Sequence, residues 1–264
     1  MIHQQKLKVL LNKKIRDGFY HIRFASAAIA RSALAGQFVQ IRVNDTFDPL
    51  LRRPLGIHRV DKGTFDCLYT VVGKATQILS QVRTGVSVDV VGPLGQGFNY
   101  TLTANRSTPI LIAGGMGVAP LVFLAERFAA LRKGAASGPL QVIIGARTKS
   151  HILCLNEFRK FKCQVHVATE DGTAGSKGYA TDVLEDVLST DGCRLTTMYA
   201  CGPHPMLAAV ASLARKRGIA AQVSLEAHMS CGIGACLGCV VETTHGQKRV
   251  CKEGPVFSAQ EVIW

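Results

Sequence analysis

Thr108-Pro109-Ile110-Leu111-Ile112-Ala113-Gly114-Gly115-Met116-Gly117-Val118-Ala119-Pro120 decides the fold. A short apolar strand runs into a glycine-rich turn. Pro120 then opens a helix with Leu121, Leu124, Phe128 and Leu131 on one face, at spacings near 3.6. Further apolar strands follow at Val142–Gly145, Val165–Thr169, Met198–Ala200 and Val223–Leu225, with helical stretches that include Asp182–Leu188 and Pro205–Lys216. Alternating strands and helices predict a parallel sheet. Glycines at such a turn let phosphate approach the backbone, and the helix N-terminus favours the anion, so Gly114, Gly115, Gly117 and Pro120 are candidate nucleotide contacts. Cys201-Gly202-Pro203-His204-Pro205-Met206 joins another strand to another helix. It should stand beside the first loop at the C-terminal edge of the sheet, where ligands bind in such folds. Taken alone, Cys201 reads as an inert buried thiol.

Upstream the pattern is different. Lys6–Leu11, Tyr20–Phe24, Gln37–Val43, Thr64–Val72 and Ser87–Val91 read as short strands between Gly, Asp and Asn turns, which predicts a small β-barrel. Downstream of Leu225 the chain is rich in Gly and Cys and has little periodicity. A metal centre is expected to hold that tail folded. The 264 residues are therefore expected to divide as a barrel over 1–103, an α/β domain over 104–225 and a small domain over 226–264. No apolar run approaches the roughly 20 residues that span a bilayer, and no secretion signal opens the chain, so a soluble, cytoplasmic protein is expected. The formal charge is +13, but the basic residues are scattered in short pairs such as Lys13-Lys14 and Arg52-Arg53. With no basic run and no aromatic-studded basic strand, nucleic acid is set aside as a partner.

Of nine cysteines, five are dispersed and four lie within 21 positions near the C-terminus. Cys231, Cys236, Cys239 and Cys251 follow a C-x4-C-x2-C…C spacing, that of plant-type [2Fe–2S] loops. Gly232, Gly234 and Gly238 let the loop turn and bring its N–H groups to sulfur. A structural zinc site also takes four thiolates, but it usually pairs two short Cys-x2–4-Cys units, and here the fourth ligand stands alone.

A cluster moves one electron and a nicotinamide two, so a chain that links them needs a flavin. In the barrel segment Leu51-Arg52-Arg53-Pro54-Leu55-Gly56 reads as a strand ending in an arginine and a rigid turn, with Arg53 placed to pair with a pyrophosphate. Tyr69 is either a flavin-stacking ring or core.

Together these motifs resemble the ferredoxin–NADP+ reductase superfamily over essentially the whole chain, and most closely the electron-transfer subunits of class 1B dihydroorotate dehydrogenases. Arg53-Pro54-Leu55-Gly56 is similar to that family's flavin motif, Leu68-Tyr69-Thr70 and Ala75-Thr76 to its further flavin contacts, and Gly92–Phe98 to its domain-junction loop. Gly114–Pro120 and Cys201–Met206 resemble its two nicotinamide-nucleotide loops. Glu226–Cys239, with Cys251 and Gly254–Phe257, resembles its cluster segment and is the most specific match. Gly56 stands where the family has a hydroxyl residue, Thr70 where it has arginine and Ala75 where it has glycine, with Arg52 or Lys74 as candidate replacements for the missing charge.

The resemblance implies bound FAD, a [2Fe–2S] cluster and NAD. It also implies a catalytic partner subunit that carries FMN and oxidises dihydroorotate, joined with this chain in a heterotetramer of two plus two. Cys201 would then shape the nicotinamide–flavin contact rather than act as a nucleophile. Other readings are a related NAD(P)H–ferredoxin or sulfide-type reductase subunit, an oxygenase reductase, or a zinc-bearing interaction module. Arg147 and Lys149 are placed either to contact a 2′-phosphate or as solvated loop charges, which leaves NAD against NADP open.

Overall fold

The computed structural model describes residues 1–100, 108–131, 139–190 and 195–264. Six strands close an antiparallel barrel: β1 (His3–Arg16), β2 (Phe19–Ala25), β3 (Phe38–Arg42), β4 (Arg53–Asp61), β5 (Thr64–Thr70) and β6 (Ser87–Leu94), in the order β1-β2-β5-β4-β3-β6. Alternate residues such as Val39, Ile41, Ile57, Phe65 and Val90 fill its interior. Two short helices that the strand pattern does not announce, α1 (Ala27–Ser32) and α2 (Lys74–Gln81), lie in the connections. Asn12 fixes α2 by donating to the carbonyls of Leu79 and Val82, at 2.8 and 2.9 Å.

The α/β half builds a seven-stranded sheet, with β7 (Thr108–Gly114), α3 (Val118–Leu131), β8 (Gln141–Ala146), α4 (Leu155–Lys160), β9 (Gln164–Thr169), β10 (Ser176–Lys177), α5 (Ala180–Thr190), β11 (Leu195–Cys201), α6 (His204–Arg217) and β12 (Ala220–Ser224). These strands pair in parallel in the order β10-β9-β8-β7-β11-β12. Both faces are covered. Leu111, Ala113, Val142 and Ile144 face the core shared with α3 and the barrel, while Ile110, Ile112 and Ile143 face the core of α5 and α6. That double burial is why these strands read as continuous apolar runs. The expected junction at residue 103 lies outside the described residues.

The last forty residues are more ordered than their composition implies. β13 (Val240–Thr243) and β14 (Gly246–Arg249) form a hairpin, and β15 (Val256–Ser258) adds antiparallel to β12 as the seventh strand of the sheet. Its register is Gln222↔Ser258, Val223↔Phe257 and Ser224↔Val256.

Three local readings are corrected. The helix after the glycine turn opens at Val118, behind a single 3-10 turn over Gly115–Gly117, so Pro120 is its third residue. Leu131 is 54% exposed, outside the buried face. Arg53-Pro54-Leu55-Gly56 does not end a strand but begins β4, where it pairs with β3 from Arg53↔Ile41 to Gly56↔Phe38. Pairing of β4 with β5 starts only at Ile57. One side of the 53–56 backbone therefore has no strand neighbour, which is where a proline is tolerated.

Helix α3 is clamped between sheet and barrel. His58 of β4, almost wholly buried, donates from Nδ1 to the carbonyl of Ala119 at 3.0 Å, and Arg59 pairs with Glu126 at 2.7 Å. Burial brings the His58 pKa down to about 4, so it is neutral in the folded chain at pH 7. Between that value and the ordinary His pKa the unfolded chain binds the proton and the folded chain does not. The stability is complete above pH 6.5 and is lost as pH falls toward 4. Urea unfolding at pH 5 against pH 7 should register a loss from this group of about 2 kcal/mol, which His58→Gln should abolish.

Candidate functional site

Where β4 lacks a neighbour, the barrel opens into a cleft of about 410 Å³. The barrel supplies Arg53, Pro54, Leu55, Gly56, Leu68, Tyr69, Thr70 and Thr76. The glycine loops supply Met116, Ala119, Pro120 and Cys201, and the start of the tail supplies Ser224–Ala227, Met229 and Pro255. Gly56 faces the nucleotide loop directly: a Cβ there would meet only Pro120 Cδ, at 3.9 Å. A serine would therefore fit.

The polar groups of the barrel wall are unevenly committed. Arg53 donates to the backbone carbonyls of Leu51 and Arg52, at 2.7 and 3.2 Å, and pairs with no carboxylate among the described residues. Thr70 Oγ1 is buried with no hydrogen-bond partner in the protein. Such an orphan calls for a ligand or water. Arg52 is not available to replace a charge here, because it holds Asp89 with two bonds of 3.0 Å. Lys74 is likewise paired, with Asp48. Tyr69 is nearly buried; its hydroxyl donates to Asn12 Oδ1 at 2.9 Å and its ring stacks on Tyr20, centroids 5.4 Å apart. Tyr69 therefore has one ring face committed to Tyr20 and its hydroxyl to Asn12. Burial pushes its phenol pKa up. Ala75 is 2% exposed and packs in the barrel core, not in the cleft wall. Thr76 accepts from the N–H groups of Val72 and Gly73, at 2.9 and 3.2 Å, and so shapes the first turn of α2.

The two glycine loops meet side by side, as their strands do at Cys201↔Ala113. Most of their glycines serve that packing. A Cβ on Gly117 would run into the carbonyl of Cys201, and one on Gly202 would lie 3.0 Å from Gly114 Cα. One on Gly114 would lie 2.7 Å from both Pro203 Cδ and Met206 Sδ. Only Gly115, exposed at φ +53° with nothing within 4 Å, is open to an incoming group. Cys201 is a buried thiol pushed up to about 12 by burial and by the charge of Glu226. Burial also raises the Glu226 carboxyl. Sequence reasoning places Glu226 and Met229 only in the cluster segment; their place in the cleft wall follows from the closeness of the β12 end to the cleft. Arg147 and Lys149 sit exposed at the end of β8, paired with no carboxylate among the described residues.

The four clustered cysteines come together below the cleft. Cys239 and Cys251 are buried in the core shared with α5 and α6, Cys231 is half-buried and Cys236 is exposed. Backbone N–H groups point at sulfur: Gly234 to Cys251 at 3.1 Å, Ile233 to Cys231 at 3.5 Å and Cys251 to Cys239 at 3.4 Å. Burial works against ionisation of Cys231, yet the amides of Ile233, Cys236 and Ala235 bring its thiol down to about 6. Burial and the neighbouring Cys239 push Cys251 up to about 12. Four such thiols ionise together only around a cation, so the donor set fits a thiolate-bound metal centre. Arg249 braces the loop by donating to the Gly234 carbonyl at 2.8 Å while its guanidinium pairs with Glu253.

Comparisons agree with this geometry. Residues 226–263 match the family model described as the iron–sulfur cluster binding domain of dihydroorotate dehydrogenase B, and residues 111–212 match the oxidoreductase NAD-binding domain. A protein of Desulforamulus reducens named dihydroorotate dehydrogenase B (NAD+), electron transfer subunit, is 41% identical over 97% of both chains. One of the same name from Geobacillus is 36% identical over the full length of both. Among solved structures, an NADH-dependent reduced ferredoxin–NADP oxidoreductase superposes with a TM-score of 0.85 at 30% identity, over 98% of this chain and 90% of its own. An Amycolatopsis cytochrome P450 reductase shares the fold, with a TM-score of 0.67 at 21% identity over 82% of this chain and 67% of its own. The chain belongs to the family of electron transfer subunits of NAD+-dependent dihydroorotate dehydrogenase B.

Proposed function

We infer that this oxidoreductase subunit passes electrons from the FMN of a dihydroorotate-oxidising catalytic subunit, by way of a [2Fe–2S] cluster and FAD, to NAD+ in pyrimidine (UMP) biosynthesis. One observation carries the reading. A single cleft is walled by all three parts of the chain, the barrel, the glycine loops and the segment leading into the four cysteines. A flavin in that cleft supplies the exchange between one-electron and two-electron chemistry that neither a cluster nor a nicotinamide supplies alone.

The residues present fit these groups. The cleft volume lies within the range of about 300–1,000 Å³ usual for small-molecule sites. Arg53, with no carboxylate partner among the described residues, would anchor a pyrophosphate, and the open side of β4 would leave backbone groups of 53–56 for a bound flavin. The buried, unpartnered Thr70 hydroxyl is a further contact. Leu55, Leu68 and Pro120 keep water from the ring faces. Gly115 admits the nicotinamide nucleotide at the helix N-terminus, with Gly114, Gly117, Gly202 and Pro203 holding the two loops in register. Cys201, kept neutral, offers bulk without charge beside the hydride path. No residue here need act on dihydroorotate. Cys231, Cys236, Cys239 and Cys251 would hold the cluster, and Met229 connects its loop to the cleft wall.

Cys236 is exposed, flanked by Ile233 at 52% and Leu237 at 62% exposure. Two exposed aliphatic side chains around a ligand form the surface on which the FMN-bearing subunit would dock, in an assembly of two copies of each. Among the described residues no helix is long and apolar enough to cross a membrane, and the cysteines are all free thiols. Both features accord with work in the reducing cytoplasm.

Mixed with its catalytic partner, the chain should confer dihydroorotate-dependent NAD+ reduction. Equal NAD+ reduction by the partner alone would sink the reading. Arg53→Ala should weaken FAD binding roughly 10- to 100-fold, the loss expected for charge-assisted hydrogen bonds, read by flavin fluorescence on dilution. Leu237→Asp should leave iron content intact and weaken association with the partner at least about tenfold, read by sedimentation of the mixture.

A further inference from the structure

Gln40 of β3 is wholly buried, and neither its amide nitrogen nor its amide oxygen has a hydrogen-bond partner among the described residues. An interior with an unpaired amide is rare, and each case needs an explanation. The residues on either side, Val39 and Ile41, point into the barrel core, so Gln40 faces outward and is covered by something else. The cover is the cysteine loop. A Cβ on Gly232 would lie 2.7 Å from Gln40 Nε2 and 2.6 Å from its Cγ. Gly232 follows Cys231 directly and takes φ +70°, so the loop is turned backbone-first onto the amide. Across the ladder, the register partner of Gln40 is Pro54 in the wall of the flavin cleft. One side chain thus touches the cluster loop and stands behind the cleft. An apolar residue would satisfy the packing at that point, and an amide satisfies it only if the amide has a polar partner.

We propose that Gln40 is a positioning residue for the iron–sulfur centre: its unpartnered side-chain N–H, packed on Gly232, would become the barrel's donor toward a bound cluster and would raise its reduction potential. The proposal rests on the reading that residues 226–264 hold a [2Fe–2S] cluster. The loop's own amides at Ile233 and Gly234 already point at Cys231 and Cys251. Gln40 adds a donor from the barrel. Reduction adds negative charge to the cluster, and N–H groups aimed at sulfur stabilise that charge. The contact also ties the loop to the strand that carries the flavin wall, which fixes the separation of the two redox sites.

The test uses the FAD- and iron-loaded chain in complex with its catalytic partner. Gln40→Met keeps the length and shape of the side chain without the donor, and Gln40→Leu is the second variant should the first load poorly. Iron per chain, the electron paramagnetic resonance spectrum of the reduced cluster and its midpoint potential are measured. Either loaded variant should show a shifted spectrum and a tenfold smaller equilibrium constant for reduction, about 59 mV more negative for one electron. A donor-free variant with full iron, an unchanged spectrum and an unchanged potential overturns the proposal. Loss of iron from both variants, with the barrel's flavin retained, would show a purely structural role in the loop and overturns the proposal. A wild-type chain without iron would defeat the cluster reading instead, so the two failures are distinguishable.

Discussion

The antiparallel pairing of Val256–Ser258 with Gln222–Ser224 is the constraint on which the rest depends. Without it the last forty residues would form a loop and a hairpin with too small a core of their own. With it, the segment between Leu225 and Pro255 becomes a closed excursion from one sheet edge. Leu225 N–H donates to the Pro255 carbonyl at 2.8 Å and shuts its base. Each of the four clustered cysteines therefore starts from a backbone fixed by the same ladder that fixes the glycine loops. The ladder also covers a sheet edge that would otherwise be free to pair elsewhere.

The barrel seizes this excursion from the other side. Gln96 N–H donates to the Gly254 carbonyl at 2.6 Å, Gln37 Nε2 holds the Gly95 carbonyl at 2.7 Å, and a Cβ on Gly36 would sit 2.9 Å from both Phe98 and Val256. The junction loop over Gly92–Phe98 is thus as much a joint to the cysteine segment as a link to the sheet. Such contacts make sense for electron transfer, where separations must not drift. The glycines follow the same logic. Gly117 and Gly202 are small because two loops press together, and Gly232 is small because a barrel side chain presses on it.

Much of this was legible in the sequence, and the failures have physical causes. The cysteine spacing and the strand–turn–helix after Thr108 are local patterns, so they survive folding unchanged. Five of the six barrel strands announced themselves through β-branched and aromatic runs. The start of β4 did not, because Pro54 reads as a turn unless the open side of the strand is known, and that opening is a tertiary fact. Ala75 entered as a ligand contact through the resemblance of Ala75-Thr76 to the family's flavin contact, yet its methyl packs in the barrel core. Arg52 looked free until Asp89, far along the chain, was seen to hold it. Glu226 and Met229 belong to the cluster segment by pattern, but only the course of β12 reveals that they also wall the cleft.

The exposure of Cys236 has a consequence for the life of the protein before assembly. The other three sulfurs are wholly or partly sheltered, so small oxidants reach the centre first at this corner. A thiolate ligand that faces solvent is also the one most open to oxidation. A partner docked over Ile233 and Leu237 would close that route. Assembly over that corner would then shield the centre from dioxygen as well as wire it.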